Sequence, residues 1–111
     1  MEISREDVNG AVCVRMHGRL DATSTPDAEK VLENIQEEGK LHVLLDLSGL
    51  EYISSVGLRA ILTLVKELGV RGGKVVLCCL SDYVKEIFEV SGFTAIIPIE
   101  DSVDAGLKSL A

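Results

Sequence analysis

The sequence has no tryptophan, only two phenylalanines and two tyrosines, and few basic residues. Eleven Lys and Arg against 18 Asp and Glu give a formal net charge of −7. Such a chain lacks the clustered positive charge that binds nucleic-acid phosphates or anionic membrane surfaces. No apolar run approaches the roughly 20 residues that span a bilayer, and the charged N-terminus does not resemble a signal peptide. We therefore expect a cytoplasmic protein that binds neither nucleic acid nor membrane.

Cysteine and histidine are also scarce. The three cysteines, Cys13, Cys78 and Cys79, are an odd number within apolar runs, which is a poor disulfide framework and indicates small buried hydrophobes in a reducing compartment. The two histidines, His17 and His42, have no partners at metal-ligand spacing. The sequence therefore predicts no metal and no cofactor.

The length of 111 residues is typical of one domain, and we expect residues 1–111 to form it. A chain of this size buries about two-thirds of its unfolded surface, which is enough for a core without disulfides. Apolar periodicity and turn residues predict an α/β fold in the order β-β-α-β-α-β-α-β-α. A hairpin followed by alternating strands and helices predicts a mixed sheet whose later strands are parallel. The predicted strands cover residues 2–8, 11–17, 41–47, 75–80 and 95–99.

Local signals mark the turns and the helix ends. Asn9-Gly10 is typical of a two-residue hairpin turn. Thr25 is the expected cap of the first helix, with Pro26 at its first position. The second helix is predicted over 56–68, because apolar residues recur there at helical spacing. Pro98 places the last strand at an edge of the sheet. The remaining end signals are Gly39 after the first helix, Ser81 and Gly92 around the third, and Asp101 or Ser102 before the fourth.

The glycine-rich segment 69–73 is followed by Lys74 and superficially resembles a phosphate-binding loop. It fails because Val75 replaces the Ser or Thr that would hold Mg²⁺, and because the segment runs from a helix to a strand. We interpret it as a connecting turn.

The most informative feature is a pair of hydroxyls, Ser54 and Ser55, where an apolar strand gives way to a helix. Either can cap the helix by accepting backbone N–H groups, and a cap does not exclude a second role. The Gly-x-Ser-x-Gly elbow of a hydrolase is absent, and a triad with Asp21 or Asp46 and a histidine has no support in the spacing. From the residues alone, a cap, a nucleophile and a switch all stay open.

The segment 46–58, Asp-Leu-Ser-Gly-Leu-Glu-Tyr-Ile-Ser-Ser-Val-Gly-Leu, resembles the signature of the STAS domain. More narrowly, it is similar to the stand-alone anti-sigma-factor antagonists of bacteria, also called anti-anti-sigma factors. The segment 18–21, Gly-Arg-Leu-Asp, resembles the family's turn before the first helix, and the likeness extends over essentially the whole chain. The resemblance implies the STAS fold.

The resemblance also implies a partner-switching cycle. In that family the Ser or Thr two residues before the signature glycine is phosphorylated, which is Ser55 here, with Ser54 as second choice. The unphosphorylated antagonist binds an anti-sigma factor, a serine kinase with a histidine-kinase-type ATPase fold, and so releases the sigma factor. Phosphorylation breaks the complex, and a PP2C-type phosphatase restores it. The implied partner-binding residues are Asp21, Ser54, Ser55, Val56, Gly57, Leu58 and Arg59.

Two departures from the family pattern concern the site. Many members carry Asp where this chain has Ser54, and Val56 stands where Ser or Ala is common. The leading hypothesis is a regulatory protein without enzyme activity, monomeric when free. The alternatives are a STAS module of a larger signalling or transport assembly that is not phosphorylated, and, more remotely, a small hydrolase that uses Ser55.

Overall fold

The computed structural model describes all 111 residues. Its elements follow the predicted order, with one added turn of 3₁₀-helix, Phe93–Ala95, before the last strand. The strands are β1 (Glu2–Val8), β2 (Ala11–Leu20), β3 (His42–Ile53), β4 (Lys74–Cys78) and β5 (Ile99–Glu100). The helices are α1 (Thr25–Glu37), α2 (Ser55–Val70), α3 (Asp82–Val90) and α4 (Val103–Leu110).

The five strands form one mixed sheet in the order β1-β2-β3-β4-β5. β1 and β2 are antiparallel, and the remaining neighbours are parallel. Asn9 and Gly10 have φ values of 50° and 85°, which is the left-handed geometry that a two-residue hairpin turn requires. The predicted mixed sheet with an N-terminal hairpin is confirmed.

Alternating side chains divide the interior between the two faces of the sheet. One face carries a core of 20 buried residues that includes the inner sides of α1, α2 and α3, with Leu32, Leu64 and Phe88 among them. The other face carries a smaller core of six buried residues, to which α4 contributes Leu110. The sheet is thus covered by three helices on one side and by one short helix on the other. None of the four helices combines the length and the apolar composition that a membrane span requires.

Two strands run further than predicted, and both extensions matter for the site. β2 continues to Leu20 rather than ending at residue 17, because Gly18 adopts a φ of 110° next to a register shift and carries the strand through an irregularity. β3 continues past residue 47 to Ile53, since its parallel pairing with β2 persists up to Leu20. Residues 48–53, six positions beyond the predicted strand, therefore belong to β3.

Several predicted boundaries were wrong. α2 runs through Gly69 to Val70 rather than ending at residue 68. β4 occupies residues 74–78 rather than 75–80, because Cys79 has a φ of 62° that extended strands do not adopt. The last strand does not cover 95–99 but only Ile99–Glu100, at the predicted edge position. Pro98 has no N–H, yet its carbonyl accepts a bond from Leu77 N at 3.0 Å and starts the pairing.

The predicted cap of α1 was also wrong. The N-cap is Ser24, which makes no side-chain capping bond, and the Thr25 hydroxyl instead donates to the carbonyl of Asp21 at 2.6 Å. Thr25 is fully buried, so its hydroxyl satisfies a backbone carbonyl inside the turn. The predicted caps Ser81 and Ser102 are confirmed, at Val84 N and Ala105 N respectively.

Candidate functional site at the N-terminus of α2

The two serines lie where β3 ends and α2 begins, next to the end of β2. Leu20 and Ile53 form the last paired positions of these two parallel strands. The carbonyl of Leu20 then accepts a bond from Ser54 N at 2.9 Å, so the chain turns into α2 while still attached to β2. The carboxyl ends of parallel strands are where α/β proteins usually carry functional groups. The serine pair occupies that edge.

Ser54 is the cap of α2. Its backbone is extended, with φ −88° and ψ 172°, and its Oγ accepts a bond from Gly57 N at 3.2 Å. Its carbonyl accepts from Leu58 N at 2.9 Å, which begins the helical ladder. Both acceptors of Ser54 are thus engaged by its own helix.

Ser55 is the first residue of α2, and its side chain is exposed. Its hydroxyl takes part in none of the hydrogen bonds between protein groups, in contrast to that of Ser54. At the first positions of a helix the backbone N–H groups have no intrahelical partners, and they favour an anion. The next residue, Val56, is also exposed, with 41% of its surface accessible. The site therefore presents a free hydroxyl beside an apolar side chain.

Gly57 explains why the signature contains a glycine. A Cβ at this position would lie 2.8 Å from the carbonyl oxygen of Leu20 and 2.7 Å from its Cγ. The backbone of α2 can approach the end of β2 this closely only without a side chain. Gly57 and the bond from Ser54 N to Leu20 together hold the start of the helix against the sheet.

Asp21 directly follows Leu20 and organises the turn into α1. Its Oδ1 accepts bonds from Thr23 N at 3.0 Å, from the Thr23 hydroxyl at 2.7 Å and from Ser24 N at 3.1 Å. These bonds, that of the Thr23 hydroxyl first, lower the pKa of the Asp21 carboxyl. The hydrogen bonds of Asp21 go to its own turn and not to Ser55, although Leu20 places that turn beside the serine pair.

The first turn of α2 carries no acidic residue, whereas the first turns of α1, α3 and α4 each contain an aspartate. Four residues after Ser55, at the spacing that brings helical side chains together, stands the exposed Arg59. Between them Leu58 is half-buried and packs against the larger core. The exposed face at the start of α2 is thus neutral to basic in a chain that is strongly acidic.

Sequence reasoning missed an aromatic group at the same edge. The guanidinium carbon of Arg19 lies 4.2 Å above the centroid of the Tyr52 ring, and Tyr52 stacks on Tyr83 with ring centroids 6.5 Å apart. Arg19 and Tyr52 are paired neighbours on β2 and β3. The predicted strands ended at residues 17 and 47, before Arg19 and Tyr52. Only longer strands β2 and β3 would have predicted that these two side chains are neighbours.

Of the residues considered for catalysis, only Asp21 lies beside the serines, and neither histidine nor Asp46 joins it there. His42 begins β3, while the serines follow its far end. His17 lies against Gly49, on β2 and β3. Asp46 lies within β3, where Arg15 Nε is 3.3 Å from its Oδ2. The glycine-rich segment 69–73 joins α2 to β4, as predicted for a connecting turn.

Comparison with known proteins assigns the family. The model of the STAS domain matches residues 2–106. BtrV of Bordetella bronchiseptica, assigned as an anti-sigma factor antagonist, is 35% identical over 95% of this chain and 90% of its own. The anti-sigma F factor antagonist of Paenibacillus polymyxa is 32% identical over 99% and 95%.

Solved structures share the fold at lower identity. A Thermotoga maritima protein described as an anti-sigma factor antagonist superposes with a TM-score of 0.93 at 20% identity, covering 97% of this chain and 93% of its own. SpoIIAA of Bacillus in its phosphorylated form superposes with a TM-score of 0.80 at 18% identity, covering 99% and 100%. The family model, the relatives and the shared fold agree, and the chain belongs to the STAS-domain family of anti-sigma factor antagonists.

Proposed function

We propose that this chain binds an anti-sigma factor and so releases a sigma factor, and that phosphorylation of Ser55 switches the binding off. The observation that carries the site assignment is the difference in hydrogen bonding between the two serine hydroxyls. Ser54 Oγ is engaged by Gly57 N, whereas the Ser55 hydroxyl is exposed and without a protein partner. The names of the relatives from Bordetella and Paenibacillus support the binding role.

Physical chemistry supports a switch at this position that leaves the domain folded. Phosphate adds about −1.5 to −2 charges and three acceptor oxygens. The unpaired N–H groups of the first turn can donate hydrogen bonds to such an anion, and no acidic side chain in that turn repels it. The added charge therefore acts mainly on the binding of a partner that packs on Val56 and the serines. A loss of about 3–4 kcal/mol would weaken binding roughly 200- to 900-fold.

The proposed partners follow from the same role. The anti-sigma factor is a serine kinase with a histidine-kinase-type ATPase fold, and a PP2C-type phosphatase restores the free serine. The surface that the anti-sigma factor contacts comprises Asp21, Ser54, Ser55, Val56, Gly57, Leu58 and Arg59. Gly57 is buried and contributes by letting the chain approach, while the exposed members supply contacts. We place this cycle in the cytoplasm, and we assign the chain no catalytic activity.

The decisive experiment measures both modification and binding. The chain is incubated with the kinase of its own bacterium and ATP, alongside Ser54→Ala and Ser55→Ala variants, and is examined by mass spectrometry. We expect one phosphate on wild type and on Ser54→Ala, and none on Ser55→Ala. Calorimetry should then show that phosphorylated wild type binds the anti-sigma factor at least 200-fold more weakly, the lower end of the range estimated above.

Other outcomes would select other functions. An unmodified wild type that still binds a signalling or transport protein would favour a module that is not phosphorylated. Label that persists in Ser55→Ala and vanishes in Ser54→Ala would reverse the site assignment. Turnover of an activated ester that Ser55→Ala abolishes would favour the hydrolase, although no hydrogen bond joins the Ser55 hydroxyl to a histidine or carboxylate.

A variant of Asp21 tests whether the proposed contact surface extends beyond α2 to the turn before α1. The expected roles of Asp21 are to orient the Ser55 hydroxyl or to engage the kinase. Its carboxylate makes no hydrogen bond to Ser55, so we propose that it engages the kinase, because the carbonyl of Leu20 directly before it accepts a bond from Ser54 N. Asp21→Asn should slow phosphorylation or weaken binding. Unchanged rates and affinities would remove Asp21 from the contact surface.

A further inference from the structure

Two adjacent cysteines at the end of β4 lie on the same side of the sheet, although neighbouring residues of a strand normally face opposite ways. The cause is the backbone of Cys79, which turns out of the strand with a φ of 62°. As a result Cys79 packs against the same small core that contains buried Cys78. Both sulfur atoms and a carboxylate oxygen of Asp46 lie within 4.8 Å of one another.

The conformation of Cys79 is unusual for a residue with a Cβ. Positive φ is disfavoured for side-chain-bearing residues, and it persists where the surroundings hold it. The only other non-glycine residue with positive φ is Asn9, in a hairpin turn where Asn is common. Cys79 is held by its N–H, which donates to the carbonyl of Glu100 at 3.1 Å, and by its Sγ, 3.7 Å from the carbonyl oxygen of Asp101. The strained backbone brings a second thiol beside Cys78.

We propose that Asp46, Cys78 and Cys79 form a binding site for a thiophilic divalent cation, with Zn²⁺ the ion that best fits two thiolates and one carboxylate. Zn²⁺ takes tetrahedral sets of sulfur, nitrogen and oxygen ligands, with Zn–S distances of about 2.3 Å that place two sulfurs about 3.8 Å apart. The three atoms now lie within 4.8 Å of one another, so binding requires the two sulfurs to close by up to about 1 Å. Solvent completes the fourth position. Binding releases the two thiol protons and changes no oxidation state.

The charges around the cluster suit a metal. Two thiolates and one carboxylate carry −3, a divalent cation reduces this to −1, and Arg15, 3.3 Å from Asp46 Oδ2, offsets the remainder. Arg15 also pairs with the exposed Glu6 at 3.2 Å. Asp46 is only 5% exposed and Cys78 is buried, so the solvent ligand would reach a bound ion beside the half-buried Cys79.

The cluster is distinct from the proposed phosphorylation site. It lies on the face of the sheet that α4 partly covers and joins β3 to the segment between β4 and α3, whereas Ser55 begins a helix on the opposite face. We therefore expect the cation to stabilise the fold. Failure of either proposal leaves the other standing.

The test uses Co²⁺ as a spectroscopic probe for the zinc site, on reduced protein under anaerobic conditions. Wild type should bind one Co²⁺ with a thiolate-to-cobalt charge-transfer band and tetrahedral d–d bands, and Zn²⁺ should displace it. Cys79→Gly removes the thiol and relieves the backbone strain, so it should stay folded and bind roughly 100-fold more weakly or worse. The matched control is Cys13→Ala, which removes a buried thiol that is not one of the three proposed ligands and should leave the spectrum unchanged.

Asp46→Asn separates the oxygen ligand from the sulfurs. It should keep the charge-transfer band but weaken affinity by roughly 10-fold or more. A wild-type titration without a charge-transfer band, or a band that persists unchanged in Cys79→Gly, would overturn the site. An Asp46→Asn variant with wild-type affinity would overturn the three-ligand assignment.

Discussion

The N-termini of α2 and α3 share the same cap but differ in the residue that follows it. Ser54 and Ser81 each accept a bond from the N–H three residues on, at 3.2 and 3.3 Å. The next residue is the free hydroxyl of Ser55 in α2 and the carboxylate of Asp82 in α3. At the first position of α3, Asp82 thus already supplies the negative charge that phosphorylation of Ser55 would add to α2. The fold therefore tolerates a negative charge at the first position of a helix. A phosphate on Ser55 would alter the binding of a partner rather than the folding of the domain.

The largest expected effect concerns what α2 has and α3 lacks, the close contact with β2. Gly57→Ala places a methyl group about 2.8 Å from the Leu20 carbonyl and should cost about 1–3 kcal/mol of unfolding free energy. Gly69→Ala, in the same helix with no atom near the added Cβ, should instead stabilise by up to about 1 kcal/mol. Urea denaturation of both variants measures the difference. Equal effects would mean that the contact with Leu20 does not constrain the helix.

The second prediction separates the two serines by stability. Ser54→Ala removes the bond to Gly57 N and should cost about 1 kcal/mol, as should Ser81→Ala in α3. Ser55→Ala should stay within about 0.5 kcal/mol of wild type, because its hydroxyl has no protein partner. Thermal and urea unfolding give these values. A larger loss in Ser55→Ala than in Ser54→Ala would exchange the roles of the two hydroxyls.

The third prediction exchanges charge between the helices. Ser55→Asp should stabilise the domain by about 0.3–1 kcal/mol through the helix dipole, and Asp82→Asn should destabilise it by a similar amount. Both effects should shrink as salt is added. Ser55→Asn is the neutral control of similar shape. A Ser55→Asp variant that unfolds more readily than Ser55→Asn would show that α2 does not tolerate an anion.

The smallest effect concerns Arg59, whose counterpart in α3, four residues after Asp82, is the oppositely charged Glu86. A phosphate on Ser55 stands four residues before Arg59, at ion-pair spacing, and the pair should contribute about 0.2–0.5 kcal/mol. Phosphorylation should therefore raise stability slightly more in wild type than in Arg59→Gln. Unfolding of the four proteins, with and without phosphate, gives the coupling energy. A coupling energy of zero would mean that Arg59 does not pair with the phosphate, and only its proposed contact with the partner would remain.

Much of this arrangement could be predicted from the sequence because it depends on local chemistry. The hairpin turn at Asn9-Gly10, the order of elements and the serine caps of α3 and α4 each follow from residues close in sequence. The choice between Ser54 and Ser55 did not, because both can cap and the helix start must be known to one residue. The structure identifies Ser54 as the cap, whereas the assignment of Ser55 as the phosphorylation site rests on the resemblance to the family.

Other features depend on contacts between distant segments. β2 and β3 extend past their predicted ends because they pair with each other, and that pairing brings Arg19 beside Tyr52. The left-handed turn at Cys79 has no signal in the sequence, where a cysteine after an apolar run reads as one more strand residue. Thr25 resembles a cap but is buried as a hydrogen-bond donor to Asp21. In each case tertiary context overrides the local preference.

The anchoring of Ser54 N on the Leu20 carbonyl has a kinetic consequence. Under the proposed function, a partner would dock on a helix start that is fixed to the sheet and needs no rearrangement, so association would not wait for a conformational change. Under the proposed cycle, the delay between a stimulus and the release of the sigma factor would then be set by the kinase and the phosphatase. The antagonist itself would add no lag.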